Sequence, residues 1–292
     1  MLRALLLTLL AFVSLAAAED RVSNELPVLR TELPEESSLF FSGGWLAGEG
    51  YLNRIDLARL DGYKTIRGVV IAGVEPADLG VLPLESLIDA LGLPPEKDGI
   101  VLECTDRWES FMELSYVAKK NPLLLVYYNG EDPTAGNWPI FGGDIEPLAP
   151  FYVFIEGDYS GFAESPAFGM ISATQMSGIR AVNTEIRYRP FFGAPMDQLS
   201  ELAQEGRSLF LQRCNNCHQG PGETGGNTSQ RPFQILQLHA SFNEAHLRKV
   251  VTNPKEVFPE TIMPPHPDFE DSHFEQLIAY LKESYQLLQP PP

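Results

Sequence analysis

Thiols and cations are both scarce in this chain, and each scarcity excludes something. There are three cysteines in 292 residues, Cys104, Cys214 and Cys217. An odd count rules out a framework in which every thiol of an exported chain is paired. Two of the three stand three positions apart, so chemistry other than cross-linking must account for them. Lysine and arginine number 21 against 39 acidic residues, a formal charge of −18. Such a surface repels nucleic acid, and it leaves solubility or steering towards a basic partner as readings of the charge. Long apolar runs are also missing. The one run, Ala4 to Leu15, is shorter than the roughly 20 residues that cross a bilayer. It follows Arg3 and precedes Ala16-Ala17-Ala18, the plan of a signal peptide cleaved after Ala18, so residues 1–18 are expected to be removed on export. No cysteine follows the run to carry a lipid, and no later segment is apolar enough to span a membrane, so no membrane span is expected after cleavage.

What is present is enough apolar residue, 44%, to build more than one core. An acidic, proline-broken leader is expected over 19–39. From 40 to 188 the pattern is of short β-rich runs between Gly, Pro and Asp: IRGVVIAGV, DGIVLEC, LLLVYYNG, PFYVFIEG and SGIRAVNTEIRY. One helix is legible among them, with Leu84, Leu87, Ile88 and Leu91 on a stripe closed by Gly92 and Pro94. These features predict an α+β domain. RPFFGAP, within a linker placed at 189–195, reads as a hinge. Beyond it, over 196–292, three helical patterns appear. The first carries Leu199, Leu202, Gly206, Leu209 and Phe210 on one face. The second opens with Ser241 and Glu244 in capping-box positions, and the third does so with Ser272 and Glu275. Three helices and long loops make too small a core for this length, and a further apolar body is expected to fill it. The aromatics of FYVFIEGDYSGF and the WPIFGGD loop read as core packing in preference to a pocket.

The close cysteine pair lies in CNNCH, residues 214–218. C-x-x-C-H is the attachment signature of c-type haem: each thiol adds to one vinyl group on the same porphyrin edge, and the next residue, His218, becomes an axial iron ligand. Both thiols are expected on the first turn of a helix. A thioredoxin-like pair would follow a strand, whereas this one follows an amphipathic helix. A zinc site would need two more ligands at tight spacing, and His239 with His246 is loosely spaced. For the second axial position ETIMPPHPDFED offers Met263 and His266. Met263 is favoured because Pro264 and Pro265 stiffen the loop that would present its sulfur, and a thioether favours ferrous iron.

With these residues in view, positions 200–288 resemble a class I cytochrome c domain. Gly206 and Phe210 match the G-x-x-x-F/Y pattern of that family's first helix; Cys214, Cys217 and His218 match its haem motif; Met263-Pro264 matches its ligand loop; and Tyr280-Leu281 matches its last helix. The resemblance implies that Gly206 lets the first and last helices cross closely near Tyr280. The family's Gly-Pro-x-Leu segment is missing, with RPFQ at 231–234 in its place.

Residues 67–186 resemble, more weakly, the molybdopterin-binding domain of sulfite-oxidase-like enzymes. The likeness rests on GVVIAGV, the helix LESLIDALGLPP, IVLECTDRWESFMELSYV, LLLVYYNGEDP and IRAVNTEIRY, with Asp106-Arg107-Trp108 and Asn129-Gly130 at the expected turns. The family's molybdenum-binding cysteine belongs to an earlier segment, and this chain has none before Cys104. Molybdopterin is therefore not expected, and Cys104 reads as a buried structural thiol.

The fold expected is thus a two-domain chain, a sulfite-oxidase-like α+β domain followed by an all-α cytochrome c domain. The expected function is that of an exported, periplasmic monohaem electron carrier serving a redox partner protein, more an electron-transfer protein than a complete enzyme. Cys214 and Cys217 would hold one covalent haem c, with His218 and Met263 on the iron. The alternatives are a molybdopterin-type dehydrogenase passing electrons to the haem, and a haem-based ligand sensor with an open axial position.

Overall fold

The computed structural model of the chain describes residues 26–34, 37–70, 75–105, 108–131, 138, 140–141, 146–147, 149–156, 173–192, 198–218, 229, 231–261 and 263–288. The expected signal peptide, Asp106-Arg107 and the end of the expected linker lie outside these residues. In chain order the α+β part runs β1 (Ser38–Ser42), β2 (Gly50–Asn53), α1 (Arg54–Leu57), β3 (Lys64–Val69), β4 (Ala77–Pro83), α2 (Leu84–Leu91), β5 (Gly99–Cys104), β6 (Glu109–Glu113), α3 (Leu114–Lys120), β7 (Pro122–Tyr128), β8 (Ile140–Phe141), β9 (Glu146–Pro147), β10 (Tyr152–Ile155), β11 (Met176–Val182) and α4 (Thr184–Phe192). The helical part runs α5 (Glu201–Arg213), α6 (Phe233–Phe242), α7 (Glu244–Thr252), α8 (Pro254–Val257) and α9 (Asp271–Leu288). No helix among the described residues is long and apolar enough to cross a membrane.

Two sheets organise the first part. One has the order β2-β1-β11-β5-β6, in which only β1 and β11 run parallel; the other, β10-β7-β4-β3, is antiparallel throughout. Successive side chains on a strand point to opposite faces, and here both faces of both sheets are apolar. Ile100 and Leu102 of β5 and Met112 of β6 enter a core shared with Leu124 and Val126 of β7 and with Leu84, Leu87 and Leu91 of α2. Leu123 and Leu125 point the other way, into a cluster with Leu79, Val81 and Tyr152. Val101 and Phe111, the alternate residues of β5 and β6, leave the first core altogether. They join Val182, Tyr188 and the helical part in a third cluster.

Local chemistry explains where the elements stop. Helix α2 ends as its pattern predicts, with Gly92 at φ 68° donating its N–H to the Ile88 carbonyl. The expected strand through Tyr188 stops instead at Val182. There the Asn183 Oδ1 accepts the Ile186 N–H at 2.8 Å, and Asp98 accepts from both the N–H and the hydroxyl of Thr184, at 2.7 and 2.8 Å. These caps start α4, so the expected hinge begins inside a helix. The leader is not free either: Leu29 is buried, Arg30 bridges to Tyr51, and its guanidinium pairs with Asp56 at 3.1 Å.

The helical part differs in two ways from the three helices expected. RPFQILQLHASF forms α6, with Pro232 at its N-cap, and PKEV forms the short α8. Ser241 therefore lies inside α6, and the cap of α7 is Asn243, whose side chain accepts the His246 N–H. At α9 the capping-box role moves upstream: Glu270 donates its N–H to His273 Nδ1 at 3.1 Å, ahead of the Ser272–Glu275 pair.

Helices α5 and α9 cross at Gly206. A Cβ there would fall on the main-chain carbonyl of Gln276 and press on Tyr280, which is the close approach the family resemblance implied. Gly206→Ala gains about 1 kcal/mol of helix propensity, yet it is expected to lower the thermal midpoint, because overpacking a rigid crossing costs about 1–3 kcal/mol. A thermal melt showing an unchanged or higher midpoint would mean that the helices have room to separate.

Candidate functional site

The CNNCH segment winds off the C-terminal end of α5. Cys214 and Asn215 both donate their N–H to the Phe210 carbonyl at 2.9 Å. Cys217 and His218 return to the Cys214 carbonyl at 3.1 and 2.8 Å. The motif is thus a turn that closes a helix, not the opening turn of one as expected. It still brings both thiols and the imidazole onto a single loop of chain. Neither cysteine is in a disulfide, and both keep part of their surface. Burial pushes both thiols up to about 12, against the pull of Arg213 at Cys214, so both hold their protons at neutral pH. His218 is buried, and burial lowers its pKa while a main-chain group of Arg231 opposes the shift. The ring is neutral at pH 7, with a lone pair to offer a metal. Its Nδ1 has no hydrogen-bond partner among the described residues.

The two candidate distal residues both lie by this turn. Met263 packs on the apolar cluster that Cys214 also borders, the cluster containing Phe210, Phe233 and Tyr280. Its N–H donates to Thr261 Oγ1 at 3.1 Å. His266 is 3% exposed and donates its main-chain N–H to Val251. Its Nδ1 lies 3.3 Å from the Arg213 guanidinium. Burial first, then the charge of Arg213, push the imidazole down to about 4, and Asp268 only partly opposes this. Arg213 also pairs with Asp268 at 3.0 Å and lies over the Phe269 ring. The end of α5 is thereby tied to the Met263 loop.

Arg231-Pro232, standing where the family's Gly-Pro is absent, supplies the main chain near His218 and begins α6. Phe233 follows and meets Phe210 edge-on at 5.2 Å. The loosely spaced His239 and His246 come ring to ring at 4.7 Å across the α6–α7 corner, beside Arg231 and Phe258. Among the described residues no third metal-binding side chain joins them.

Sequence reading missed a seam between the motif and the first sheet. Asn215 and Asn216, the two residues between the cysteines, are 3% and 1% exposed. Asn216 Nδ2 donates to Ser110 Oγ of β6 at 3.3 Å. Three residues further along that strand, Glu113 accepts from Ser208 Oγ at 2.6 Å and from Gln212 Nε2 at 3.2 Å, both on α5. Arg207, buried and with its pKa lowered by that burial, pairs with Glu185 of α4 at 3.2 Å. The available signal was the polar pair Ser208 and Gln212 at i and i+4, beside the apolar face of the same helix.

Among the expected α+β site residues, Cys104 is buried in the first core, where its N–H donates to the Trp108 carbonyl. Asn129-Gly130 make a left-handed turn beside an open cleft of about 260 Å³ lined also by Tyr63, Thr65, Asp78 and Tyr127. Among the described residues no cationic side chain lines the cleft, and Asp78 is occupied with the Gly68 N–H.

Residues 201–281, from α5 into α9, match the family model described as "Cytochrome C oxidase, cbb3-type, subunit III". No curated protein matches the chain. The match supports a cytochrome c domain of the class I kind over this stretch, which implies a haem c and suggests haem-based electron transfer. The remaining chain contributes the two-sheet α+β part.

The tie between α5 and the Met263 loop is open to test by mutation. Arg213→Ala and Asp268→Ala are each expected to lower stability by about 1 kcal/mol, a value kept small because Asp268 is partly exposed. The double variant should lose less than the two losses summed. Additive losses in chemical denaturation would show that the pair does not hold the loop.

Proposed function

We propose that the chain is an exported carrier of single electrons, in which Cys214 and Cys217 hold one haem c covalently and His218 and Met263 are its axial ligands. The observation that carries this reading is the meeting of both thiols and the neutral His218 on one turn, beside the apolar cluster that Met263 also touches. These residues fit the group. The thiols are unpaired, the buried imidazole is uncharged, and the neighbouring aromatic side chains provide an apolar lining. When bound, the haem supplies an iron that cycles between ferrous and ferric states.

The rest of the site supports Met263 over His266. A guanidinium can only donate, so Nδ1 of His266 accepts from Arg213 and the ring proton sits on Nε2. The nitrogen pointing away from Arg213 therefore carries hydrogen where a ligand needs a lone pair. If His218 and Met263 both hold the iron, no position would be left on it for a substrate or dioxygen. Electron transfer to and from a redox partner protein follows, and a ligand sensor does not; a dehydrogenase would need a second cofactor in the α+β part. The haem domain in this reading extends over 196–292 and the α+β domain over 40–188. The N-terminal run is a signal peptide removed after Ala18, which places the protein in a periplasm.

The intact mass of protein exported by a cytochrome-maturing host is expected to equal that of a chain beginning at Glu19 plus one haem. The haem should resist acid-acetone extraction. Cys214→Ala with Cys217→Ala should abolish haem retention. Met263→Ala should keep the haem but allow carbon monoxide to bind the reduced form at neutral pH. Extractable haem would refute the covalent link, and carbon monoxide binding by the unaltered protein would refute Met263 as a firm ligand.

A further inference from the structure

The buried Asn215-Asn216 pair points to a role for the α+β part that the electron-carrier reading does not contain. In a freestanding haem domain nothing requires the two residues between the cysteines to be shielded from water, and both here are amides, whose burial is costly without partners. They are nevertheless almost wholly covered. The cover includes β6, whose Ser110 accepts the Asn216 amide hydrogen. β6 is the last strand of its sheet, paired on one side with β5 only. Such an edge needs shielding, and α5 packs against it. Glu113 receives Ser208 and Gln212, and Arg207 reaches Glu185 from the same helix. Apolar side chains of both parts, Phe111 and Tyr188 with Leu199, Ala203 and Phe210, form one cluster across the seam.

We infer that the α+β part is a fixed cap over the outer side of the CNNCH turn, shielding the approach to the haem past Asn215-Asn216 from outside redox reagents and leaving exchange to other faces of the helical part. The inference rests on the haem reading above, because it is the thioether links that put a porphyrin edge at Cys214 and Cys217. The seam bonds are charge-assisted at Glu113 and direct at Ser110, so the cap is held shut by specific contacts and can be loosened without touching a haem-binding residue.

The test uses the haem-loaded full chain, first checked by pyridine haemochrome and reduced spectrum. Absence of haem would end both readings before any kinetics. Oxidation of the ferrous protein by hexacyanoferrate(III), which takes one electron from the iron, is followed by stopped flow at high salt so that the altered surface charge is screened. The double variant Ser110→Ala, Glu113→Ala, with its reduced spectrum unchanged, is expected to react roughly tenfold faster, equivalent to about 1.4 kcal/mol in the opening equilibrium. Glu113→Gln, which keeps an acceptor but loses the charge, should react like the unaltered protein. Equal rates in all three would overturn the cap while leaving the haem reading intact, and so would a Glu113→Gln rate matching the double variant. Should the double variant fail to fold, amide exchange of the unaltered protein decides. Slow exchange at those amides of 109–113 that do not bond to β5 supports the cap, and exchange at exposed-edge rates overturns it.

Discussion

The ring of Phe111 stands edge-on to that of Tyr188, 5.1 Å away, on the face of the first sheet opposite its own core. The relation between the two halves of the chain depends on that face being apolar. An isolated sheet of this kind would present Val101, Phe111 and Val182 to water, and burying one such side chain is worth about 2 kcal/mol. The alternation that sends Ile100 and Met112 inward therefore obliges their neighbours to find a second cover, and α5 with its following turn provides part of it. The polar contacts at Ser110, Glu113 and Glu185 add to this association without being its main source. They set its register, since each is satisfied only when one helix lies along one strand in one position.

Charge is distributed in keeping with that division. The chain is acidic overall, yet the seam places a buried arginine from the helical part against carboxylates of the sheet part. A pair of this kind adds little net stability, because taking Arg207 out of water offsets most of the attraction. Its removal from one side only would leave a charge stranded. The contact thus discriminates against misaligned arrangements more than it strengthens the right one. At the other end of α5 Arg213 pairs with Asp268 and lies against the ring of His266.

Much of this was legible in the sequence, and what was not has a physical cause. Five of the strands and helix α2 announced themselves through uninterrupted β-branched runs or a closed leucine stripe. The haem motif was readable because its residue types have no substitutes. Helix α6 was not legible because RPFQ read as part of a long loop, whereas Pro232 at the N-cap only fixes the entry to the helix. The strand ending in Val182 ran on in the reading because Asn183 looks like any loop residue until Asp98, distant in sequence, is seen to complete the turn. The seam was illegible for the same reason. Ser110, Glu113, Ser208 and Asn216 are ordinary surface residues one at a time, and only the chain's path makes them neighbours.

Because β6 ends its sheet and borrows its shelter from a segment about a hundred residues later, neither half is a self-sufficient product. Cut between the two, the sheet half would keep an unpaired ribbon of main chain beside a bare phenylalanine, which is the template on which strands of separate molecules zip together. Keeping both halves in one chain keeps that ribbon covered.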